Sequence, residues 1–257
     1  MEKTLKDKKI ILIIGGGISA YKSLDLIRLL KKQDCEIKVV LTDSAKKFVT
    51  PLSASSLSKN KVYQDIFNSD NEAEIDHISL SRWCDIILFA PITANSIAKI
   101  SSGKADDLAS TLILASNKQI ILAPAMNVRM WEHKSTKENF NKLLDYGYLS
   151  VGPARGEMAC GEYGEGKMAT PEEIYKYIEN YFTDRDIVKN KNLKALVTAG
   201  PTKEYLDPVR FITNNSSGKQ GYEIARSLAK FGVDTTLISG PTLLKKPENV
   251  KFVKVET

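Results

Sequence analysis

Short, almost wholly apolar runs punctuate the first 180 residues, and helical spacing fills the intervals between them. The runs are Lys9–Ile14 ("KIILII"), Glu36–Thr42 ("EIKVVLT"), Asp85–Ala90 ("DIILFA"), Gln119–Ala123 ("QIILA") and Tyr148–Gly152 ("YLSVG"). A run rich in Ile, Leu and Val with no polar alternation fits a strand covered on both faces, as in a parallel sheet. Between the runs, "SLDLIRLLKKQ" places apolar residues at 24, 26, 27, 29 and 30, the stripe of an amphipathic helix. "NSIAKISSGKADDLASTLILAS" reads as a further helical stretch. Strand and helix in alternation predict an α/β fold, a doubly wound parallel sheet.

The pattern breaks at residues 153–168, "PARGEMACGEYGEGKM", where Gly156, Gly161, Gly164 and Gly166 interrupt any period and a long loop is expected. A helix follows in "PEEIYKYIENYF", with Pro171 suited to its first turn. The polar stretch 183–192 reads as a linker, so residues 1–182 are expected to form one domain. The strand–helix alternation restarts at 193–257 with "LKALVTAG", the helix "GKQGYEIARSLAKFG", then "DTTLISG" and "VKFVKVET". That is the beginning of a second Rossmann-like α/β domain, and 65 residues of it bury too little surface to stand as a complete one.

Composition narrows the function classes. The chain has 257 residues, 42% hydrophobic and 26% charged, with no apolar run near the roughly 20 residues of a membrane span. Its charged start, "MEKTLKDKK", is not a secretory signal, so a cytoplasmic protein is expected. The net charge of +6 comes from scattered lysines without interleaved aromatics, which argues against a nucleic-acid partner. Cys35, Cys84 and Cys160 lack metal spacing, and with His77 and His133 as the sole histidines no metal site is expected. Cys35 and Cys84, beside strands, read as small buried hydrophobes.

The candidate chemistry lies where strands end. "IGGGISAYK" (14–22) carries glycines from a strand into a helix, a phosphate-binding arrangement. Gly15, Gly17 and Ala20 fit G-x-G-x-x-A, with Asp43 beyond, so a dinucleotide site, another phosphate site and a tight turn all remain open. "APITANS" delivers Pro91, Thr93 and Asn95 to a second strand end, where ligands bind in open α/β sheets. Thr93 and Asn95 either cap the next helix or bond a planar heterocycle. "APAMN" repeats the device with Asn127, which alone would read as a turn residue. His77 in "IDHISLSRW" is a packed surface histidine or a site residue, since its segment leads through a buried strand to "APITANS". Cys160, flanked by glycines, is an incidental loop residue, a proton donor or a nucleophile. In the second part, Ser216, Ser217, Gly218 and Lys219 offer amides, hydroxyls and a cation at a helix start without completing a P-loop.

Together these segments resemble a known family. "GGGISAYKSLDLIRLLKK", "IDHISLSRW", "APITANSIAK", "GKADDL", "PAMN" and "ACGEYGEGKM" are similar to the bacterial bifunctional phosphopantothenoylcysteine decarboxylase/phosphopantothenate–cysteine ligases of coenzyme A synthesis. "VTAGPTKEYLDPVRFITNNSSGKQG" resembles the start of their ligase domain. The resemblance implies a flavoprotein of the homo-oligomeric flavin-containing cysteine decarboxylase type, using FMN to convert 4′-phospho-N-pantothenoylcysteine to 4′-phosphopantetheine. It implies His77 as active-site base, Asn127 as holder of the substrate carboxylate and Cys160 as proton donor. Gly16, Gly17, Ser19, Thr42 and Ser44, with Pro91, Thr93, Asn95 and Ala125, match positions near FMN. Met130, Ala159 and Lys167 join Asn127 on the substrate side, Lys167 standing where the family has Arg. In the ligase region Gly200, Asn214, Ser216, Ser217, Gly218 and Lys219 match nucleotide positions, with CTP and Mg2+ as the implied cofactors. The family's later ligase motifs would lie beyond Thr257, so the chain alone is expected to lack ligase activity. The implied assembly is a homo-oligomer built from trimers, a dodecamer, with FMN and substrate between subunits. Rival readings are a peptide-cysteine decarboxylase, a flavin prenyltransferase, a non-catalytic flavin-binding regulatory subunit and, on pattern alone, an NAD-dependent oxidoreductase.

Overall fold

The computed structural model describes residues 4–65, 76–158, 161–191 and 193–257. The chain divides into two compact units, Met1–Glu179 and Asn180–Thr257.

The first unit runs β1 (Lys9–Ile14), α1 (Ala20–Lys32), β2 (Glu36–Leu41), α2 (Pro51–Ser58), β3 (Val62–Tyr63), α3 (Asp76–Trp83), β4 (Ile86–Ile92), α4 (Ala94–Ser101) and α5 (Leu108–Leu114). It continues with β5 (Gln119–Pro124), α6 (Val128–Glu132), α7 (Lys134–Asp145), β6 (Leu149–Ser150), β7 (Ala154–Glu157) and β8 (Tyr163–Lys167), and then enters α8 (Pro171–Lys191). Strands β1 to β6 form one parallel sheet in the order β3-β2-β1-β4-β5-β6. The order reverses between β1 and β4, so right-handed crossovers place α1 and α2 on one face and α3, α4, α5 and α7 on the other, where α3 packs on α5 and α4 on α5 and α7. The sheet is doubly wound.

The apolar runs are buried as their composition requires. Every residue of β4 is buried, and β1 is buried from Ile10 to Ile14. Helix α1 turns Ala20, Ser23, Leu26, Ile27 and Leu30 inward. Ser23 is a polar group in that stripe, and its Oγ donates to the Ala90 carbonyl at 2.7 Å, locking α1 to β4. Cys35 and Cys84 are buried, and burial pushes their thiols up to about 12 and about 11.

Three sequence expectations change. The helical stretch 95–116 is two helices, because Gly103 takes a φ of 70° and Asp107 starts α5 with a capping box to Ser110. Residues 153–168 contain the antiparallel hairpin β7–β8, whose glycine-broken strands hide the period-2 signal. The stretch 183–192, read as a linker, continues α8 as far as Lys191. "TDRDIVKNK" holds no Gly or Pro to stop a helix.

The second unit contains β9 (Lys194–Ala199), β10 (Lys203–Tyr205), β11 (Phe211–Thr213), α9 (Lys219–Lys230), β12 (Asp234–Ser239) and β13 (Lys251–Lys254). A parallel sheet in the order β13-β12-β9 packs against α9 through Tyr222, Ala225, Leu237 and Val250. Strands β10 and β11 form a separate antiparallel hairpin.

Candidate active site

The turn after β1 is held where the strand order reverses. Gly15 N–H donates to the Pro91 carbonyl at 3.0 Å, joining the ends of β1 and β4 across the cis Ala90–Pro91 bond. A side chain at Gly15 would meet that carbonyl at 2.5 Å. Ala125 N–H donates to the Ile92 carbonyl at 3.0 Å, and Met126 N–H to the Gly166 carbonyl at 2.9 Å. The ends of β1, β4 and β5 and the β7–β8 hairpin are thereby drawn together. Gly166 makes the last link possible: its φ is 141°, and a Cβ there would lie 2.5 Å from the Met126 carbonyl.

These ends enclose a cavity of about 730 Å³. Of the residues named from sequence, Gly16, Gly17, Ser19, Thr93, Ala125, Asn127, Met130 and Lys167 line it. Ile18, Tyr21, Lys22, Met126, Glu157, Met158 and Gly166 complete the lining. Tyr21 and Lys22 stand inside the quoted glycine-turn stretch, and their place one turn into α1 was the available signal. Glu157 and Met158 belong to the hairpin and carried none.

The two cavity glycines differ. A Cβ at Gly16 would come within 2.2 Å of Ser44 Cβ, whereas one at Gly17 would meet nothing within 4 Å. Gly16 is set by packing; Gly17 faces open space and lets a ligand approach the backbone.

Asn127 caps α6, its Oδ1 accepting from Arg129 N–H at 2.8 Å, while its Nδ2 donates to the Glu162 carboxylate. Thr93 caps α4 by accepting from Ser96 N–H at 3.3 Å, so the capping reading holds for it even as it lines the cavity. Lys22 is half-buried. Burial, and then the neighbouring ammonium of Lys167, lower its pKa, with Glu173 opposing.

The other named residues stand apart from this lining. Thr42 is spent on the turn after β2, donating to the Ile14 carbonyl and accepting from Ala45 N–H, both at 3.3 Å. Ser44 packs under Gly16, Pro91 is the buried acceptor for Gly15, and Asn95 is exposed in the first turn of α4. Asp43 pairs with Lys46 at 2.8 Å, as a strand-end acid does. His77, in the first turn of α3, is half-buried, and its buried Nδ1 has no hydrogen-bond partner among the described residues. Ala159 and Cys160 lie outside the described residues.

In the second unit, Gly200, Ser216, Ser217, Gly218 and Lys219 line one cleft of about 590 Å³. Gly218 begins α9 with a φ of 75°, and a Cβ there would press on Thr242 at 2.9 Å. Asn214 is not in that lining; its Oδ1 accepts from Ser216 N–H at 3.0 Å and shapes the turn.

Comparison with known proteins now bears on this geometry. Residues 1–183 match the family described as Flavoprotein. The chain belongs to the flavoprotein family. Residues 190–257 of this flavoprotein match the DNA/pantothenate metabolism flavoprotein C-terminal domain. The coenzyme A biosynthesis bifunctional protein CoaBC of Vibrio cholerae is 44% identical over 99% of the flavoprotein chain, which spans 63% of that relative's length. Among solved structures, a cysteine-to-serine mutant of PPC decarboxylase complexed with pantothenoylaminoethenethiol is similar at 28% identity. Its TM-score is 0.62, and the match covers 69% of this chain and all of that one. The FMN binding protein AtHal3 is similar at 29% identity and a TM-score of 0.61, over 69% of this chain and 98% of that one.

Among the described residues, no helix is long and apolar enough to cross a membrane.

Proposed function

We propose that the first unit is an FMN-dependent decarboxylase that converts 4′-phospho-N-pantothenoylcysteine to 4′-phosphopantetheine in the cytoplasm. One observation carries the reading: a single cavity at the reversal of strand order holds Gly17, Thr93, Asn127 and Lys167 together, in a chain of the flavoprotein family. The cavity fits the cofactor, because Gly17 leaves its backbone open to a ligand and the enclosed volume of about 730 Å³ is of cofactor-and-substrate size.

Bound FMN supplies the reversible oxidation at the thiol-bearing carbon that gives the departing carboxylate an electron sink. The chain supplies placement and proton transfer. Asn127 already donates from Nδ2 to one carboxylate, that of Glu162, so its amide is aimed to hold another. The substrate carboxylate takes Glu162's place there, while the Arg129 amide keeps the side chain oriented through Oδ1. Cys160 serves as proton donor and His77 as base. Because His77 is not in the lining of its own chain's cavity, and its Nδ1 lacks a partner among the described residues, it acts in the cavity of a neighbouring copy. That role calls for a homo-oligomer, and the trimer-based assembly implied by the resemblance would supply one.

Residues 193–257 carry the start of the phosphopantothenate–cysteine ligase domain. The turn Ser216–Lys219 beside Gly200 contributes to a CTP site that works with Mg2+.

The test is spectroscopic and chemical. The purified chain should be yellow or become so with FMN, and should release CO2 from 4′-phospho-N-pantothenoylcysteine. Cys160→Ser should still release CO2 but accumulate the oxidised product. A colourless protein that FMN cannot reconstitute defeats the proposal.

A further inference from the structure

Lys22 and Lys167 face one cavity from different elements, the first turn of α1 and the last residue of β8. Lys22 is half-buried and Lys167 exposed. The neighbouring Ser23 is bonded to the Ala90 carbonyl at 2.7 Å, which sets the rotation of α1. The Lys167 side chain crosses the hairpin over Gly156, where a Cβ would lie 3.3 Å from its Cδ and 3.5 Å from its Nζ. Elsewhere lysines meet carboxylates, as Lys99 does at 2.8 and 2.9 Å from Asp106 and Asp107. Among the described residues neither cavity lysine has a hydrogen-bond partner or an ion pair. Their ammoniums are close enough to repel, and the repulsion adds to burial in disfavouring the charge on Lys22. Two acids lie nearby: Glu157 lines the cavity and is exposed, as Lys167 is, and Glu173, engaged by Thr170 N–H at 2.7 Å, only partly offsets the lowering at Lys22.

We propose that Lys22, with Lys167, forms a phosphate-monoester subsite that recognises the phosphate of the decarboxylation substrate. The inference rests on the decarboxylase reading and extends it to the far end of the substrate. A phosphate monoester carries close to two negative charges at neutral pH, enough to satisfy both cations. A carboxylate carries one, and Asn127 already serves that group. The flavin's own phosphate is assigned to the turn at Gly17, whose backbone faces open space. The Ala20 and Lys22 amides of α1 already donate to the Gly17 and Ser19 carbonyls at 2.9 and 3.1 Å, so the second anion has the lysine side chains to meet.

The test is equilibrium binding to the full chain loaded with FMN, by calorimetry with 4′-phosphopantetheine and pantetheine. The unaltered chain should prefer the phosphorylated compound. Lys22→Gln should cut that preference by roughly ten- to a hundredfold, the worth of a hydrogen bond to a charged group, and Lys22→Arg should retain most of it. Lys167→Gln should act in the same direction, and thermal unfolding of each variant reports whether it is folded. An unchanged preference in folded Lys22→Gln and Lys167→Gln overturns the subsite. So does a loss confined to FMN against riboflavin, which would assign Lys22 to the cofactor. If the unaltered chain binds neither flavin nor pantetheine compounds, the decarboxylase reading itself has failed and the subsite falls with it.

Discussion

In the first unit β4 is buried at every residue from Ile86 to Ile92; in the second, β9 alternates exposed and half-buried from Lys194 to Ala199. Both strands are parallel members of parallel sheets, and both read as apolar runs. The difference is in what covers them. Helices lie on both faces of the first sheet, whereas α9 covers one face of the second and Leu196 and Val253 remain 67% and 44% exposed on the other. A parallel sheet is ordinarily covered on both faces. The first unit therefore carries its cavity on a stiff, fully packed scaffold, and the second holds its cleft on a sheet packed from one side.

Leucine truncation should give the widest contrast. Leu88, fully buried in β4, should cost about 2–5 kcal/mol when changed to Ala, through lost burial and the cavity left behind. Leu196→Ala should stay within about 0.5 kcal/mol, since its side chain already meets solvent. Urea unfolding of the full chain, followed separately in each unit by hydrogen exchange, reads both. Equal losses would mean that the open face of the second sheet is covered in solution.

Next come the glycines at the cavity. Gly16→Ala drives a methyl to 2.2 Å from Ser44 Cβ and should cost about 1–3 kcal/mol of stability by overpacking. Gly17→Ala has open space around its Cβ, so stability should hold while flavin affinity falls, as flavin fluorescence titration would show. If Gly17→Ala binds flavin normally, the ligand does not approach that backbone.

How much of this was legible depends on which physical signal each part carries. The first sheet was readable because Ile10–Ile14 and Ile86–Ala90 are continuous apolar runs, a pattern few structures other than a doubly covered strand satisfy. The cavity glycines and Asn127 were readable as strand-end punctuation followed by a polar residue. Lys22 was passed over because a lysine on an amphipathic helix ordinarily belongs to the solvated face; its meeting with Lys167 depends on how the hairpin β7–β8 returns to the sheet. That return rests on a backbone bond from Met126 to the Gly166 carbonyl, which no side-chain pattern announces. The extra length of α8 was missed for the converse reason: polar residues without Gly or Pro read as a linker yet are good helix formers.

The scaffold's polar anchor should come third. Ser23→Ala leaves the Ala90 carbonyl without its buried donor and should cost about 1–3 kcal/mol. Because Ser23 also sets the rotation of α1, the same variant should lower the preference for 4′-phosphopantetheine while Lys22 itself is intact. A stability loss with full preference retained would show that Lys22 finds its ligand without that anchor.

The smallest expected effect concerns acid. Hydrogen bonds from Lys176, then Tyr175 and Thr4, hold the Glu179 carboxyl down to about 2, at the boundary of the first unit. A depressed carboxylate stabilises the fold above its unfolded value and loses that contribution as pH falls through its folded one. The stabilisation should thus be complete above about 4.5 and fade toward about 2, and solvent screening keeps it below about 1 kcal/mol. Glu179→Gln should remove this slope from the acid limb of a stability-against-pH curve and leave the neutral limb offset by a small constant. An identical acid limb in wild type and variant would mean that Lys176, Tyr175 and Thr4 do not hold the Glu179 carboxylate in solution.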